Sequence, residues 1–462
     1  MTQNSKKIHH NRCSAQQFLF SQTNSVVRND GLIFHEASPE SPGLDELSKA
    51  FPDILVGKSL SDVAMIDLKY ISKFAAMAVR IDLFPVPGAS ETETKESVHG
   101  ERYPAKLLTD VAKFIDSICN SSPSRGMWGL IGHGVLGCFF PEKDKHACTE
   151  FADKMRRHLA IHHKETITIG IASYPLDRFY KDRILGNACK ALEHATFSGP
   201  GSTAAFDSVS LNISADKLYQ KGDVIGAIEE FKTALRLDPS NANAHNSLGV
   251  CFGVLGVYKK SLERFESAVR LAPHEAMTLY NAGLVNMLMG DNNKALEYFL
   301  KAGQLGEDVF EVAFQTGRLY LKSGKLEDGR KFLEKAAKLR PESGPAFRYL
   351  GECYAAMNMT DKAIQTYKKA IRYNPYDSAS LSALGYLFDI QGESPEISMV
   401  FCQHSVEISP ENGLFRHRLG SLYLKQNRLD EALKEFIKAV KLGHEDAMPF
   451  IEDIQNRLTG HQ

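Results

Sequence analysis

Along the second half of the chain, proline, glycine and small residues return at a fixed interval. Pro239, Pro273, Pro341 and Pro375 are separated by 34, 68 and 34 positions, Glu307 fills the vacant slot, and Pro410 follows 35 beyond Pro375, which marks one inserted residue. Glycines keep step at Gly249, Gly283, Gly317, Gly351 and Gly385, then at Gly420 after the insertion. Small residues do the same at Ala234, Ala268, Ala302, Ala336, Ala370, Ser405 and Ala439, and aromatics at Phe231, Phe265, Phe299, Tyr367 and Phe436. The pattern predicts two antiparallel helices per repeat. A small residue in each helix lets the pair approach closely. The aromatic of the second helix fills the gap between neighbouring repeats, and the proline ends that helix and turns the chain. Gly256, Gly290, Gly324 and Gly392 mark a tight turn between paired helices.

Seven repeats fit residues 208–446, and residues 447–462 read as a capping helix and tail. The first repeat has Ala215 in place of the first-helix glycine but keeps Gly222, Ala227, Phe231, Ala234 and Pro239. The sixth is degenerate in its second helix. A 34-residue period with these anchors resembles the tetratricopeptide repeat. The resemblance covers a little over half the chain. It implies an all-α superhelical solenoid whose groove binds a peptide or partner helix. In that family the groove is faced by positions two, five, nine and twelve of the first helix. Here they include Asn246, Tyr280, Met287, Phe314, Arg318, Arg348 and Tyr386. This mixture suits an extended or helical segment with some acidic character. The asparagine-and-lysine set with which some members clamp a terminal carboxylate is not evident. Asn246 and Asn281 are present, but Glu311 and Gln315 stand where basic residues would be wanted.

Before residue 208 the period changes. Ala76–Pro85 and Thr166–Pro175 read as buried strands, Pro104–Cys119, His146–His163 and Asp182–Phe197 as amphipathic helices. Trp128–Pro141, "WGLIGHGVLGCFFP", is two apolar runs around a Gly-His-Gly turn, a hairpin signature. The order strand, helix, hairpin, helix, strand, helix gives an α/β sandwich with a mostly antiparallel sheet, like the ferredoxin-like unit. The domain is placed at residues 68–203, behind a poorly defined segment 1–67. Residues 87–100 read as a mobile loop, and "GPGST" (Gly199–Thr203) as a hinge toward the repeats.

In order and spacing this domain resembles the GGDEF domain, the diguanylate cyclase fold. The hairpin positions are Gly132, His133, Gly134, Val135 and Leu136, followed by an apolar strand ending at Pro141. "TIGIAS" (Thr168–Ser173), "ACKALEHAT" (Ala188–Thr196) and "RIDLFP" (Arg80–Pro85) match three further family segments. The resemblance implies a nucleotide cyclase-like sandwich, and the chemistry argues that it is degenerate. Cyclisation needs carboxylates that hold a divalent metal against a triphosphate. The metal-ligand position of the first strand is Arg80, and the hairpin acids are replaced by Gly134 and Val135. Asp82 survives, in the second acidic slot. The guanine-binding positions are Gly88 and Ala105, the phosphate lysine is Thr196, and Gly126 with an out-of-register Arg125 replaces the product-inhibition motif. The resemblance thus implies no metal and no catalytic residue here, while cyclases of that family pair through this domain. His133 reads as a solvated turn residue. His146, His162, His163 and His194 lack zinc spacing.

Composition changes this picture little. A chain of 462 residues exceeds one ordinary core, and 43% hydrophobic with 24% charged residues is typical of soluble globular proteins. The net charge of −1 provides no field toward nucleic acid or a membrane surface. Eight scattered cysteines without a CxxC pair suit a reducing compartment. No apolar run is long enough to span a bilayer and the start lacks a secretory signal, so the expected location is cytoplasmic. Together these readings predict a non-enzymatic scaffold without a cofactor, in bacterial signalling or complex assembly. It would hold a protein or peptide in the repeat groove and bind no nucleic acid. The alternative is a sensor whose inactive domain binds GTP or a cyclic dinucleotide.

Overall fold

The computed structural model describes residues 43–82, 102–121, 124–306, 308–392 and 395–459. The loop read at 87–100, Gly88, Glu307 and the first 42 residues lie outside them. The chain divides into two compact units, Met1–Pro273 and His274–Gln462.

In the first unit, α1 (Leu44–Ala50), β1 (Leu55–Val56) and α2 (Lys58–Asp67) precede the strand β2 (Phe74–Ile81). There follow α3 (Arg102–Ser121), β3 (Met127–Gly132), β4 (Val135–Pro141), α4 (Lys145–His162), β5 (Ile167–Tyr174), α5 (Ile184–Phe197) and β6 (Thr203–Ala205). The six strands form one sheet in the order β1-β3-β4-β2-β5-β6. The inner pairings are antiparallel, as the strand pattern predicts. The sheet is nevertheless mixed, because β1 runs parallel to β3 and β6 parallel to β5. These edge strands have two and three residues, too few to show an alternation. Central strand β2 is buried on both sides. Phe74, Ala76 and Ala78 share one core with α2 and α5, and Ala75, Met77, Val79 and Ile81 share another with α3 and α4. A strand covered on both faces reads as a continuous apolar run, which is how it stands in the sequence.

Gly199–Thr203 is not a hinge. It leads directly into β6, with Ile169 N donating to Ser202 O at 2.9 Å and Phe206 N to Ile171 O at 2.7 Å. Asp207 then caps α6 (Ser208–Gln220), which pairs with α7 (Val224–Leu237). The next pair is α8 (Ala242–Val254) with α9 (Tyr258–Leu271). One apolar core runs from the sheet through Ala188 and Leu192 of α5 to Leu211, Ala215, Phe231 and Leu248. Two ion pairs border it, Lys217–Glu193 at 3.2 Å and Lys190–Glu230 at 2.5 Å. Burial pushes the Glu193 carboxyl above its ordinary range despite Lys217. The sheet thus covers the apolar side that a first repeat would otherwise expose.

The second unit contains five helical pairs. They are α10 (Ala276–Leu288) with α11 (Asn292–Gln304), α12 (Phe310–Lys322) with α13 (Leu326–Leu339), and α14 (Gly344–Ala356) with α15 (Thr360–Tyr373). Then come α16 (Ser378–Gln391) with α17 (Pro395–Ile408), α18 (Gly413–Lys425) with α19 (Leu429–Lys441), and the single helix α20 (Met448–Thr459). The periodic glycines are contact points. A Cβ at Gly249, Gly283, Gly317, Gly351, Gly385 or Gly420 would stand 2.5–3.0 Å from Phe265, Phe299, Leu333, Tyr367, Cys402 or Phe436 respectively. Each of these large residues lies on the glycine of its own repeat, whereas the sequence reading assigned the aromatic to the gap between repeats. Phe450 of α20 stacks on Phe436 at 5.1 Å between centroids and closes the last pair.

Candidate functional site

In the second unit the first helices of successive pairs, α12, α14, α16 and α18, touch one another. Their side chains build a run of arginines on aromatic rings. The Arg318 guanidinium lies 4.6 Å from the Tyr349 ring centroid and 5.5 Å from that of Phe314. Arg348 lies 4.5 Å from the same Tyr349 ring. One ring therefore holds two cations, whose attraction to its negative face offsets part of their mutual repulsion. Arg318 Nη1 donates to Gln315 Oε1 at 2.8 Å, and Arg348 Nη1 stands 3.5 Å from Asp377 Oδ1. The Nε groups of both arginines are buried and have no hydrogen-bond partner among the described residues. Further along, Arg418 lies 4.8 Å over the Tyr386 ring and donates to Ser382 Oγ at 3.0 Å. Phe310 extends the aromatic run, stacked on Phe314 at 5.5 Å with Arg340 at 3.9 Å from its ring.

The residues named from the groove register divide into two groups. Phe314, Arg318 and Arg348 are half-buried and come together, and Tyr386 is exposed. Met287 is half-buried on α10, apart from this run. Asn246 and Tyr280 are buried, at 1% and 2% exposure, and Tyr280 packs on Phe299 at 5.6 Å. Tyr280 thereby serves the packing of its own repeat. Glu311 pairs with Arg340 at 2.7 Å. The groove register missed Tyr349 and Arg418. Both lie in the column Gln315, Tyr349, Ala383 and Arg418, whose members follow at steps of 34, 34 and 35 residues, so the period itself could have found them.

At the other candidate, the β3–β4 hairpin, His133 is exposed at the turn and Gly134 adopts φ +63°. Val135 is buried against the α5 side and Leu136 against the α3–α4 side. Gly132 ends β3 beside a register shift. Val135 is the register partner of Arg80 across β4 and β2, so the two residues are neighbours in the sheet. Asp82 is fully engaged. Its Oδ1 accepts from Thr168 Oγ1 at 2.6 Å and lies 3.5 Å from Arg80, and its Oδ2 accepts from Thr166 Oγ1 at 2.6 Å and Gly201 N at 2.8 Å. The carboxylate ties the ends of β2 and β5 to the turn before β6. Thr196 Oγ1 donates to its own helix, at Leu192 O, 2.9 Å away.

The histidines are dispersed. His162 Nδ1 lies 2.9 Å from His158 O, His163 Nε2 lies 3.6 Å from Asp110, and His194 Nδ1 lies 3.2 Å from Ser210 Oγ. Among the described residues no group of three or more His, Cys, Asp or Glu is placed to hold a metal. Burial pushes the thiols of Cys189, Cys251 and Cys402 up to about 12, so they are not thiolates at neutral pH. No described helix is long and apolar enough to cross a membrane.

Family models for the tetratricopeptide repeat match residues 215–256, 320–385, 278–304 and 415–442. The fold is similar to that of solved repeat proteins. YrrB, described as a TPR protein with an unusual peptide-binding site, is 19% identical, with 40% of this chain and 96% of that chain covered and a TM-score of 0.37. MamA is 25% identical over 35% of this chain and 94% of that one, with a TM-score of 0.33. A tetratricopeptide repeat protein from Parabacteroides merdae is 19% identical over 54% of this chain and 99% of that one, with a TM-score of 0.40. No curated protein matches the chain.

Proposed function

We propose that this chain, whose helical pairs are tetratricopeptide repeats, is a non-enzymatic scaffold that binds an acidic, extended or helical segment of a partner protein along α12, α14, α16 and α18. The observation that carries this reading is the pair of guanidiniums on Tyr349, each with a buried Nε that has no partner among the described residues. Arginine presents several donors in a rigid fork that fits a carboxylate, and aromatic stacking preorganises it. The phenylalanines beside it supply apolar area for the same segment. Such an adaptor suits signalling or complex assembly in bacteria. The test is a peptide array probed with the full chain and with Arg318→Ala/Arg348→Ala. Selective retention on acidic peptides, with a set of them lost in the double variant, is the expected result. Equal retention by both proteins overturns the assignment.

In this reading the sheet domain is a cyclase-like sandwich of GGDEF type that has lost its chemistry. In support, the inner strand order β3-β4-β2-β5, with α3 and α4 on one face, is the ferredoxin-like arrangement. Arg80 and Val135 are adjacent where two acids would have to converge on a metal, and Asp82 is spent on Thr166, Thr168 and Gly201. The domain then serves as the cover of the first repeat. One observation favours the sensor alternative: Arg80 is 6% exposed, and its Nε and Nη1 have no partner among the described residues. A thermal shift of the full chain with millimolar GTP or cyclic dinucleotide, abolished by Arg80→Met, is its test. No shift in the wild type ends that alternative.

A further inference from the structure

We propose that the first two helical pairs carry a second binding slot, on the side of their second helices, for an acidic segment of a partner protein that inserts a leucine or phenylalanine. The slot is a recess of about 400 Å³ between α7 and α9 with α8 beneath. Leu235, Leu248 and Phe252 give it apolar walls, and Lys232, Arg236, Lys260 and Arg264 stand around them. Glu263 is the acid in the lining.

Four cations on a flat helix face would be an ordinary solvated surface. Here they surround a recess with an apolar interior. Lys232 is paired with Glu229 at 2.7 Å. Among the described residues no carboxylate pairs with Arg236, Lys260 or Arg264. Arg236 reaches only Thr233 Oγ1, at 3.0 Å, and Lys260 lies 5.8 Å from the Phe252 ring. Like charges held this close raise the local potential, and an incoming carboxylate lowers it. The occupant that meets both features carries an apolar side chain for the interior and acids on either side. A protruding peptide side chain reaches the interior. An anionic bilayer would meet the rim cations and leave the apolar walls unused, so the geometry favours a peptide. The slot is built from residues separate from the Tyr349 run and does not depend on it.

The test uses the full chain and a fluorescein-labelled peptide of sequence Asp-Glu-Leu-Phe-Asp-Glu. Controls are its Asn/Gln analogue, its Ala-Ala analogue and phosphatidylserine vesicles. Arg236 and Lys260 are exposed, so Arg236→Glu/Lys260→Glu leaves the fold intact, and circular dichroism checks this. Saturable binding is expected. It should weaken about tenfold or more in the double variant and with either analogue, and fall as salt rises. Every comparison is made in the Arg318→Ala/Arg348→Ala background, which disables the proposed α12–α18 site, so the binding that is read belongs to this slot. The proposal is overturned if the peptide does not saturate, or if adding Arg236→Glu/Lys260→Glu leaves its binding unchanged. It is also overturned if only the vesicles bind in a manner sensitive to Arg236→Glu/Lys260→Glu.

Discussion

Gly249 lies directly beneath the ring of Phe265, so close that a Cβ there would stand 2.7 Å from a ring carbon. Alanine is favoured over glycine in a helix by about 1 kcal/mol. At Gly249 the overlap outweighs that gain, because Phe265 is fully buried and has no free direction to move. Gly249→Ala should therefore cost about 1–2 kcal/mol net. Gly186 of α5 is the opposite case: nothing lies within 4 Å of its would-be Cβ. Gly186→Ala should stabilise by about 0.5–1 kcal/mol. Urea midpoints of the two variants, moving in opposite directions, check both signs. Movement in the same direction refutes the contact argument.

Tyr349 should behave as the anchor of the proposed partner site, although the groove register did not name it. Removing its ring takes the support from Arg318 and Arg348 together. Tyr349→Ala should weaken binding of an acidic array-selected peptide by about 2 kcal/mol, roughly thirtyfold, as truncation of a central aromatic does. Tyr349→Phe keeps the ring and should bind within about threefold of wild type. Isothermal titration compares them. A Phe variant as weak as the Ala variant would show that the hydroxyl matters and the stacking does not.

The repeats were legible because most of them solve the same contact, a glycine against a large side chain, at one interval. Gly249 with Phe265 and Gly351 with Tyr367 are two instances. The inner strands were legible because β2 and β5 are mostly apolar or β-branched, with Arg80 in β2 and Ser173 in β5 as exceptions. The edges were not: Leu55–Val56 and Thr203–Ala205 are too short for a pattern, and the glycines of Gly199–Thr203 read as a hinge until the pairing of β6 is seen. The site was half legible. The register named Phe314, Arg318 and Arg348, which the fold brings together, but burial decides which residues a repeat can offer to a partner. Burial took Asn246 and Tyr280 into the repeat interior.

Leu192 of α5 is fully buried in the core that continues from the sheet into the first helical pair. Leu192→Ala should cost about 2–5 kcal/mol. Because that core is shared, amide exchange should accelerate in α7 around Phe231 as well as in β5. Hydrogen exchange with mass spectrometry reads both segments in one experiment. Faster exchange in β5 with α7 unaffected would mean that the sheet and the first repeat are separate cooperative units.

His245 makes the first unit sensitive to acid. Its Nε2 lies 3.1 Å from Pro239 O, and a carbonyl can only accept, so Nε2 carries the proton and Nδ1 is bare. That Nδ1 is buried without a partner. Burial holds the imidazole pKa below its ordinary value, and the charges of Arg264 and Arg270 push it the same way, against the opposing pull of the Pro239 bond. A depressed histidine pKa means that the unfolded chain takes up the proton first. Stability is therefore complete above the unfolded value of about 6.5, and it declines as pH falls through 6.5 toward the folded pKa. His245→Gln retains an amide donor for Pro239 O and removes the titration. In urea melts between pH 7.5 and 5 that variant should lose less stability on the acid side than the wild type. Parallel pH profiles would assign the acid sensitivity of the first unit to other groups.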